Sequence, residues 1–563
     1  VAPFATTAID NAMRALDGYG VKWKKAWSST CSAKEISDTA FDLEIECLDR
    51  RLAALGVTVG ELRGADATGA RNVLETVERL PDTAACADVA TLRKVAQAPP
   101  AQQAQIRELE QRIVRAETLV ALDKWNEAGA LFTALDRDVA ALGFAPLAAR
   151  AAFARASLEV TTERWPDAKT HLDTAIAQAN ASGDDDTLAR AYVKLAKVSR
   201  VLGDQKRARE LVPIARAVVH RIGDPRTLKE ELDTLDAELL VKEGKIDDAI
   251  VAFTQLVAAV DPADRKQRAE LQMRRASLLR VQGRLDEAMK AFDAALADTA
   301  SAVGENHPQY ALRLADRAHL TVLRGETPKG LADWDIAYKT LVAALGPDDP
   351  ASAEVEEHIA GVAVWLGRYD EGLARERHVV EVRERISGAS DTVRYRVEYT
   401  HLLLIAGRVA EAEQQIEQAL DVARKSPPTA MIVPDAEREL AMVRFAQGRI
   451  DEAHKIFEAS MRAIEKVLAA DNDALDLWWV AGAHISLARG NVDAAISQAS
   501  KLTRGIELGE AKLVLAQALA KKGDRAGAAA AIEESYAALE GLMPGGNARP
   551  DLRAKLAALK ATL

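Results

Sequence analysis

Apolar residues recur three or four apart along most of this chain, the spacing of helices with one buried face. Above that short period lies a long one. Its template is GRLDEAMKAF, Gly283 to Phe292, with Ala276 seven residues before it. It consists of a small residue, a glycine seven later, a second small residue five after that and a large apolar residue four further on. The first small residue falls at Ala116, Ala156, Ala196, Ala237, Ala276, Ala318, Ala360, Thr400, Ala441, Ala483 and Ala516. The second, twelve later, falls at Ala128, Ala168, Ala208, Ala249, Ala288, Gly330, Gly372, Ala412, Ala453, Ala495 and Ala528. Successive units are 39 to 42 residues apart, except the last, which follows after 33. A fixed period of this size predicts a solenoid, in which no unit buries its apolar face alone and the stack is the fold.

Each unit reads as two helices joined by a tight turn. Glycine ends the first helix at Gly203, Gly244, Gly283, Gly325, Gly367, Gly407, Gly448, Gly490 and Gly523. Acidic residues such as Asp247, Asp286, Asp370 and Asp451 follow the turn, where they suit the helix dipole. The two small residues are expected to face each other where the helices cross. The large residue (Phe132, Phe253, Phe292, Trp334, Phe457) is expected to pack on the next unit. Val212, Glu376 and Ala499 replace it in three units, where weaker packing is expected. The pattern resembles the tetratricopeptide repeat, with a period near 40. That resemblance implies an all-α, right-handed α-solenoid of about eleven repeats over residues 105–548. An N-terminal helical cap (1–104) and a C-terminal capping helix (549–563) complete the expected organisation. Links such as GENHP (304–308) and GPDDP (346–350) resemble those of kinesin-light-chain repeats, and KSPPTA (425–430) reads as another polar link.

Residues 1–104 lack the template. A long helix is expected over 1–35, with Ile9, Met13, Leu16, Tyr19, Trp23 and Trp27 at helical spacing. Further helices are expected from Asp38 to Gly56 or beyond, over Ala67–Leu80, and from near Cys86 to Pro99. This block holds all three cysteines, Cys31, Cys47 and Cys86, which reads either as a disulfide framework or as buried reduced thiols. Drawn as antiparallel neighbours, the helices put Cys31 about 13 Å along the axis from Cys47. Cys47–Cys86 is therefore the expected pair, with Cys31 free or paired to a cysteine upstream. No zinc spacing is present and no histidine lies in the block.

The strings CLDRR (Cys47–Arg51) and CADV (Cys86–Val89), in their helical setting, resemble the block that follows the kinase domain and membrane segment of myxobacterial-type serine/threonine protein kinases. The loop SAKEIS departs from that pattern. The resemblance implies a non-catalytic, extracytoplasmic (periplasmic) region of a membrane-anchored kinase, with the anchor upstream. The start at VAPF, without an initiator methionine, is expected of an excised or processed piece.

Composition narrows the classes further. A net charge of −11 disfavours non-specific nucleic-acid binding, and no run of 18 apolar residues exists to span a membrane. No kinase, P-loop, HExxH, GxSxG or dinucleotide motif occurs, so neither an enzyme nor a cofactor is expected. Paired acids such as Asp184–Asp186 and Asp348–Asp349 read as helix starts.

The expected partner is a protein or peptide, held on the concave face lined by first helices. Six residues before the turn glycine stand His319, Gly361, His401, Met442 and His484; three before it stand Val322, Val364, Leu404, Phe445 and Leu487. Trp365, Trp478 and Trp479 lie nearby. An apolar strip punctuated by imidazoles is expected, binding an extended or helical peptide and weakening as histidines charge below about pH 6.5. The histidines are too far apart to share a metal. Arg274, Arg275, Arg280, Arg313, Arg317 and Arg324 form a second candidate, either a solvated face or a pocket for an acidic ligand. The leading expectation is an interaction scaffold or sensor region of the kinase. The alternative is a regulatory array of a cytoplasmic signalling ATPase or transcription regulator.

Overall fold

A computed structural model of the chain describes residues 4–33, 37–64, 69, 71–387, 392–425, 431–468, 475–503, 505–543 and 548–563. Most of the KSPPTA link and the centre of the SAKEIS loop lie outside these residues. Every regular element among the described residues is helical. The chain divides into two compact units, Val1–Tyr310 and Ala311–Leu563.

The long period appears as eleven helix pairs, from Gln103–Ala121 with Trp125–Leu142 to Leu508–Lys522 with Arg525–Leu542. All eleven first small residues are 0% exposed, as are the nine second ones that are alanines. The remaining two crossings use glycine because the backbones come closer still. A Cβ at Gly330 would stand 3.0 Å from the Ala318 carbonyl oxygen, and one at Gly372 2.7 Å from that of Ala360.

The turn after the first helix needs one residue in the left-handed region. Gly283 takes it with φ +73°, and the Arg284 N–H then donates to Leu279 O at 2.9 Å. The first two pairs make the same turn without glycine, placing Asp123 (φ 60°) and Glu163 (φ 56°) there. Asp123 is held by Arg71 Nη2 at 2.6 Å and Asn72 Nδ2 at 2.7 Å, both from the N-terminal block. The paired acids start helices, since Asp184 and Asp349 accept from the backbone N–H groups of Thr187 and Ala351.

The large residues join neighbouring pairs. Phe457, for example, packs with Leu475, Trp478 and Ile485 of the next pair, and Phe253 with Leu271. Val212 still meets Leu235 and Leu239, and Ala499 meets Val514. Glu376 differs in kind. It is fully buried, neither carboxylate oxygen has a hydrogen-bond partner, and burial drives its carboxyl well above the usual range.

Residues 4–96 differ from the expected four-helix cap. Two long helices form, Ala5–Ser32 and Asp38–Leu62. Within the expected third helix, Val73–Glu78 forms a helix of its own, preceded by Asn72, a poor helix former, at a turn. The expected fourth becomes a 3-10 turn, Ala84–Ala87, and one helical turn, Val89–Leu92. Asp82 and Asp88 cause this by capping Ala84 and Thr91 with their side chains. Cys47 and Cys86 are joined, with Cα atoms 5.6 Å apart, and Cys31 is free and exposed.

Nor does this block sit only at one end of its unit. Arg115 bonds Glu61 at 2.7 Å on the first pair, and the Ala96 N–H donates to Ser182 O at 2.9 Å at the end of the second. Lys266, on the fifth pair, bonds Glu78 at 3.1 Å, and Asn11 Nδ2 donates to Ala302 O at 2.9 Å. The block therefore reaches from the first to the fifth pair of its unit.

Ala441→Leu should overpack its crossing with Ala453, at a cost of about 1–3 kcal/mol. In a stack the damage stays with neighbouring pairs, so amide hydrogen exchange should rise locally rather than throughout the chain. Glu376→Leu should stabilise the same kind of interface by about 1–3 kcal/mol, by removing an unpaired buried carboxyl. The raised folded-state value makes that gain smallest below about pH 4.5, where the unfolded carboxyl is also protonated, and larger as pH rises. Exchange of residues 369–405 at pH 4 and pH 8 measures it.

Candidate functional site

The expected groove lies in the C-terminal unit, on its first helices. Its histidines share a register but not an environment. His319 stands 5.6 Å from the ring of His358 and 6.4 Å from that of Trp334, on which His358 stacks at 5.3 Å. His358 carries no repeat signal, and burial lowers its pKa. Val322 and Val364 are core residues rather than groove lining, at 9% and 0% exposure. The glycines at 330 and 372 leave room, and these valines sit directly over them. Leu404, Met442, Phe445 and Leu487 remain half-buried, as does Trp365, whereas Trp478 is buried against Phe457.

His401 and His484 enter a buried polar network. His401 Nδ1 lies 3.3 Å from Glu439 Oε1, which also accepts from Arg438 Nη1 at 2.6 Å. The Arg438 guanidinium lies over the Trp478 ring at 4.8 Å. His484 Nε2 lies 3.0 Å from Glu510 Oε1, and its ring is 5.6 Å from that of Phe445. Glu510 is held from its other oxygen by Arg549 Nη2 at 3.1 Å. Burial opposes a charge on His401, but Glu439 outweighs it and raises the pKa to about 9. His401 is thus already charged at neutral pH, which corrects the expectation that it charges only below about 6.5. Glu398 and Glu507 are pushed up by burial, against the pull of His401.

Arg549 brings in the C-terminus. Its backbone N–H donates to Trp365 O at 2.6 Å, and its φ is +52°. Upstream, Thr327 Oγ1 donates to Leu542 O. Downstream, the Pro550 ring lies where a Cβ on Gly367 would be 2.7 Å from its Cγ. Gly541 and Leu542, and then Arg549 and Pro550, therefore lie against the turns of the sixth and seventh pairs. The last helix, Pro550–Lys560, is more than an end cap, although Leu552 and Leu556 do cover Leu513, Ile532 and Leu539 as a cap would.

The arginine candidate divides between the units. Arg274 pairs with Glu238 and Glu270 in the N-terminal unit, and Arg275 reaches Gln272 at 3.5 Å. Arg280 closes the helix Arg265–Val281, in its last turn. In the C-terminal unit Arg317 bonds Asp333 at 2.7 Å and Arg324 bonds Glu326 at 3.2 Å. Arg313 lies on the helix Pro308–Leu323 and is half-buried.

Residues 235–303 match the tetratricopeptide repeat family. The helix pairs form a tetratricopeptide-like solenoid. The chain has no match among curated proteins. Among solved structures it is similar to a putative kinesin light chain repeat protein from Podosopora anserina, at 17% identity over 36% of this chain and 98% of that one, with a TM-score of 0.32. A Rap protein complexed with Competence and Sporulation Factor matches at 12% identity over 66% and 99%, with a TM-score of 0.44. The Cut9–Hcn1 hetero-tetramer of APC/C matches at 14% identity over 94% and 98%, with a TM-score of 0.41.

The His401–Glu439 contact has a signed pH dependence. Because the folded-state pKa of His401 is raised from 6.5 to about 9, its stabilisation is complete below 6.5 and is lost as pH rises through 9. His401→Gln should cost about 1.5–3 kcal/mol at pH 6 and much less at pH 10. Hydrogen exchange of 393–446 at both values checks this.

Proposed function

We propose that this chain is a protein-interaction scaffold that holds a peptide or protein segment on the inner face of its C-terminal unit. The observation that carries the reading is the row Leu404, Met442, Phe445 and Leu487, which stays half-buried on successive first helices. Such a row supplies apolar anchors at repeat spacing, and His401 and Glu398 beside it supply charge for orientation. The partner shares this face with the C-terminal stretch around Arg549.

The wider reading is the sensor region of a membrane-anchored bacterial serine/threonine kinase, on the extracytoplasmic side. It rests on the CLDRR and CADV strings, and the Cys47–Cys86 disulfide supports it, because such bonds persist in oxidising compartments. No helix among the described residues is long and apolar enough to cross a membrane, and this reading places the anchor upstream.

A phage-displayed peptide screen against the chain should yield binders whose affinity falls at least tenfold in Phe445→Ala, about 1.4 kcal/mol. Binders unaffected by both Phe445→Ala and Leu404→Ala would defeat the groove reading. The kinase reading requires kinase motifs and an apolar 20-residue segment in the polypeptide that carries this chain, and a P-loop domain in their place would defeat it.

A further inference from the structure

Six arginines among the described residues hold a Nε that is shielded from solvent and has no hydrogen-bond partner. Five of them bond through another nitrogen. Arg200 and Arg274 reach Glu238, Arg275 reaches Gln272, Arg317 reaches Asp333, and Arg383 reaches Pro350 O. Arg51 is the exception. It is half-buried and makes no side-chain hydrogen bond or ion pair. A guanidinium cannot neutralise itself by losing its proton at neutral pH, so burying one without a partner is costly.

Arg51 stands on the helix Asp38–Leu62, which packs on the first helix of the first pair. Its neighbour Arg50 shares one carboxylate, Glu110, with Arg150 of the second pair, at 3.6 and 3.0 Å. Arg51 faces the same Arg150. Burial and then Arg150 lower the Arg51 pKa to about 10, and Asp186 and Tyr19 oppose them. Asp186 is already held by Arg190 Nε at 2.9 Å, and the Tyr19 hydroxyl donates to Pro81 O at 2.9 Å. Arg150 is offset by Glu110, Glu117, Asp184 and Asp186. The cation left without a bonded counter-charge is Arg51.

We propose that Arg51, with Arg150 beside it, binds a carboxylate supplied by a ligand, at the inner side of the helix Asp38–Leu62 in the N-terminal unit. A guanidinium presents parallel N–H groups that match the two oxygens of a carboxylate. Glu110, held between Arg50 and Arg150, shows a carboxylate seated between these same two elements. One negative charge matches the one unpaired cation. A phosphate dianion would bring a second charge toward Glu110 and Asp186. A small free acid and the end of a peptide present the same group. This site does not depend on the apolar row of the C-terminal unit.

Thermal unfolding and amide hydrogen exchange of the full chain are measured in sodium acetate and in sodium chloride, at equal ionic strength and neutral pH. Acetate should raise the unfolding midpoint by about 2–4 °C and slow exchange in the helix Asp38–Leu62. N-acetylglycine, which ends a peptide unit with the same group, replaces acetate in a second arm. N-acetylglycinamide, which lacks the charge, should have no effect. An effect of both acids assigns the site to small free acids, and an effect of N-acetylglycine alone assigns it to a peptide end. Arg51→Met should abolish the effect and leave the midpoint in chloride unchanged or higher, because it removes a charge without a partner. Arg51→Lys should keep less than half of the effect, since it retains the charge without the planar fork. An acid effect that survives Arg51→Met, no effect of either acid, or a midpoint in chloride lowered by Arg51→Met would each overturn the proposal. So would inorganic phosphate acting more strongly than both acids.

Discussion

Two small residues twelve apart in sequence, facing each other where a helix pair crosses, are the constraint on which this structure depends. They let the two backbones approach, and in the sixth and seventh pairs the approach is so close that even a methyl group would meet a carbonyl oxygen. Once the crossing is fixed, the turn, the apolar outer row and the stacking direction follow from it. The large residue four positions on reaches the next pair, and the repeat propagates by contact between neighbours. Glu376 shows how tolerant that propagation is, since an uncompensated carboxyl occupies one joint and the joint still forms.

Within each unit, the chain end folds back over the pairs. The N-terminal block reaches from the first to the fifth pair of its unit. The C-terminal stretch reaches the turns at Thr327 and Trp365 in its own. Each return brings charged groups against the first helices, where burial makes partners necessary. The first helices of the C-terminal unit accordingly carry half-buried apolar side chains beside paired charges. Arg549 and Glu510 tie the end of the chain to His484.

The repeat itself was legible because its signal is local. The small residues and turn glycines recur at fixed offsets, and each has a steric reason. The Cys47–Cys86 pairing was legible from the distance of Cys31 along its helix once the helices were drawn as antiparallel neighbours, although Cys86 lies in a 3-10 turn and not at the start of a fourth helix. The groove was only partly so. Val322 and Val364 were placed in the lining by register, but the glycines at 330 and 372 draw them into the core. His401 and His484 find their partners, Glu439 and Glu510, on later pairs, and no periodicity announces a charge pair between repeats. The left-handed turns at Asp123 and Glu163 escaped notice because a side-chain hydrogen bond at Asp123, rather than a glycine, accompanies the shape. The short helices near Cys86 escaped because Asp82 and Asp88 compete for backbone N–H groups.

That the C-terminal end is bound to the inner face of its unit is most directly tested by removing it. Hydrogen exchange is compared between the full chain and a chain ending at Met543. Loss of Arg549 and Pro550 should speed exchange at Trp365–Tyr369 and around His484 and Glu510, while leaving residues 103–303 unchanged. Equal exchange at those sites in the two chains would contradict the closure and free the groove of any role for the C-terminus.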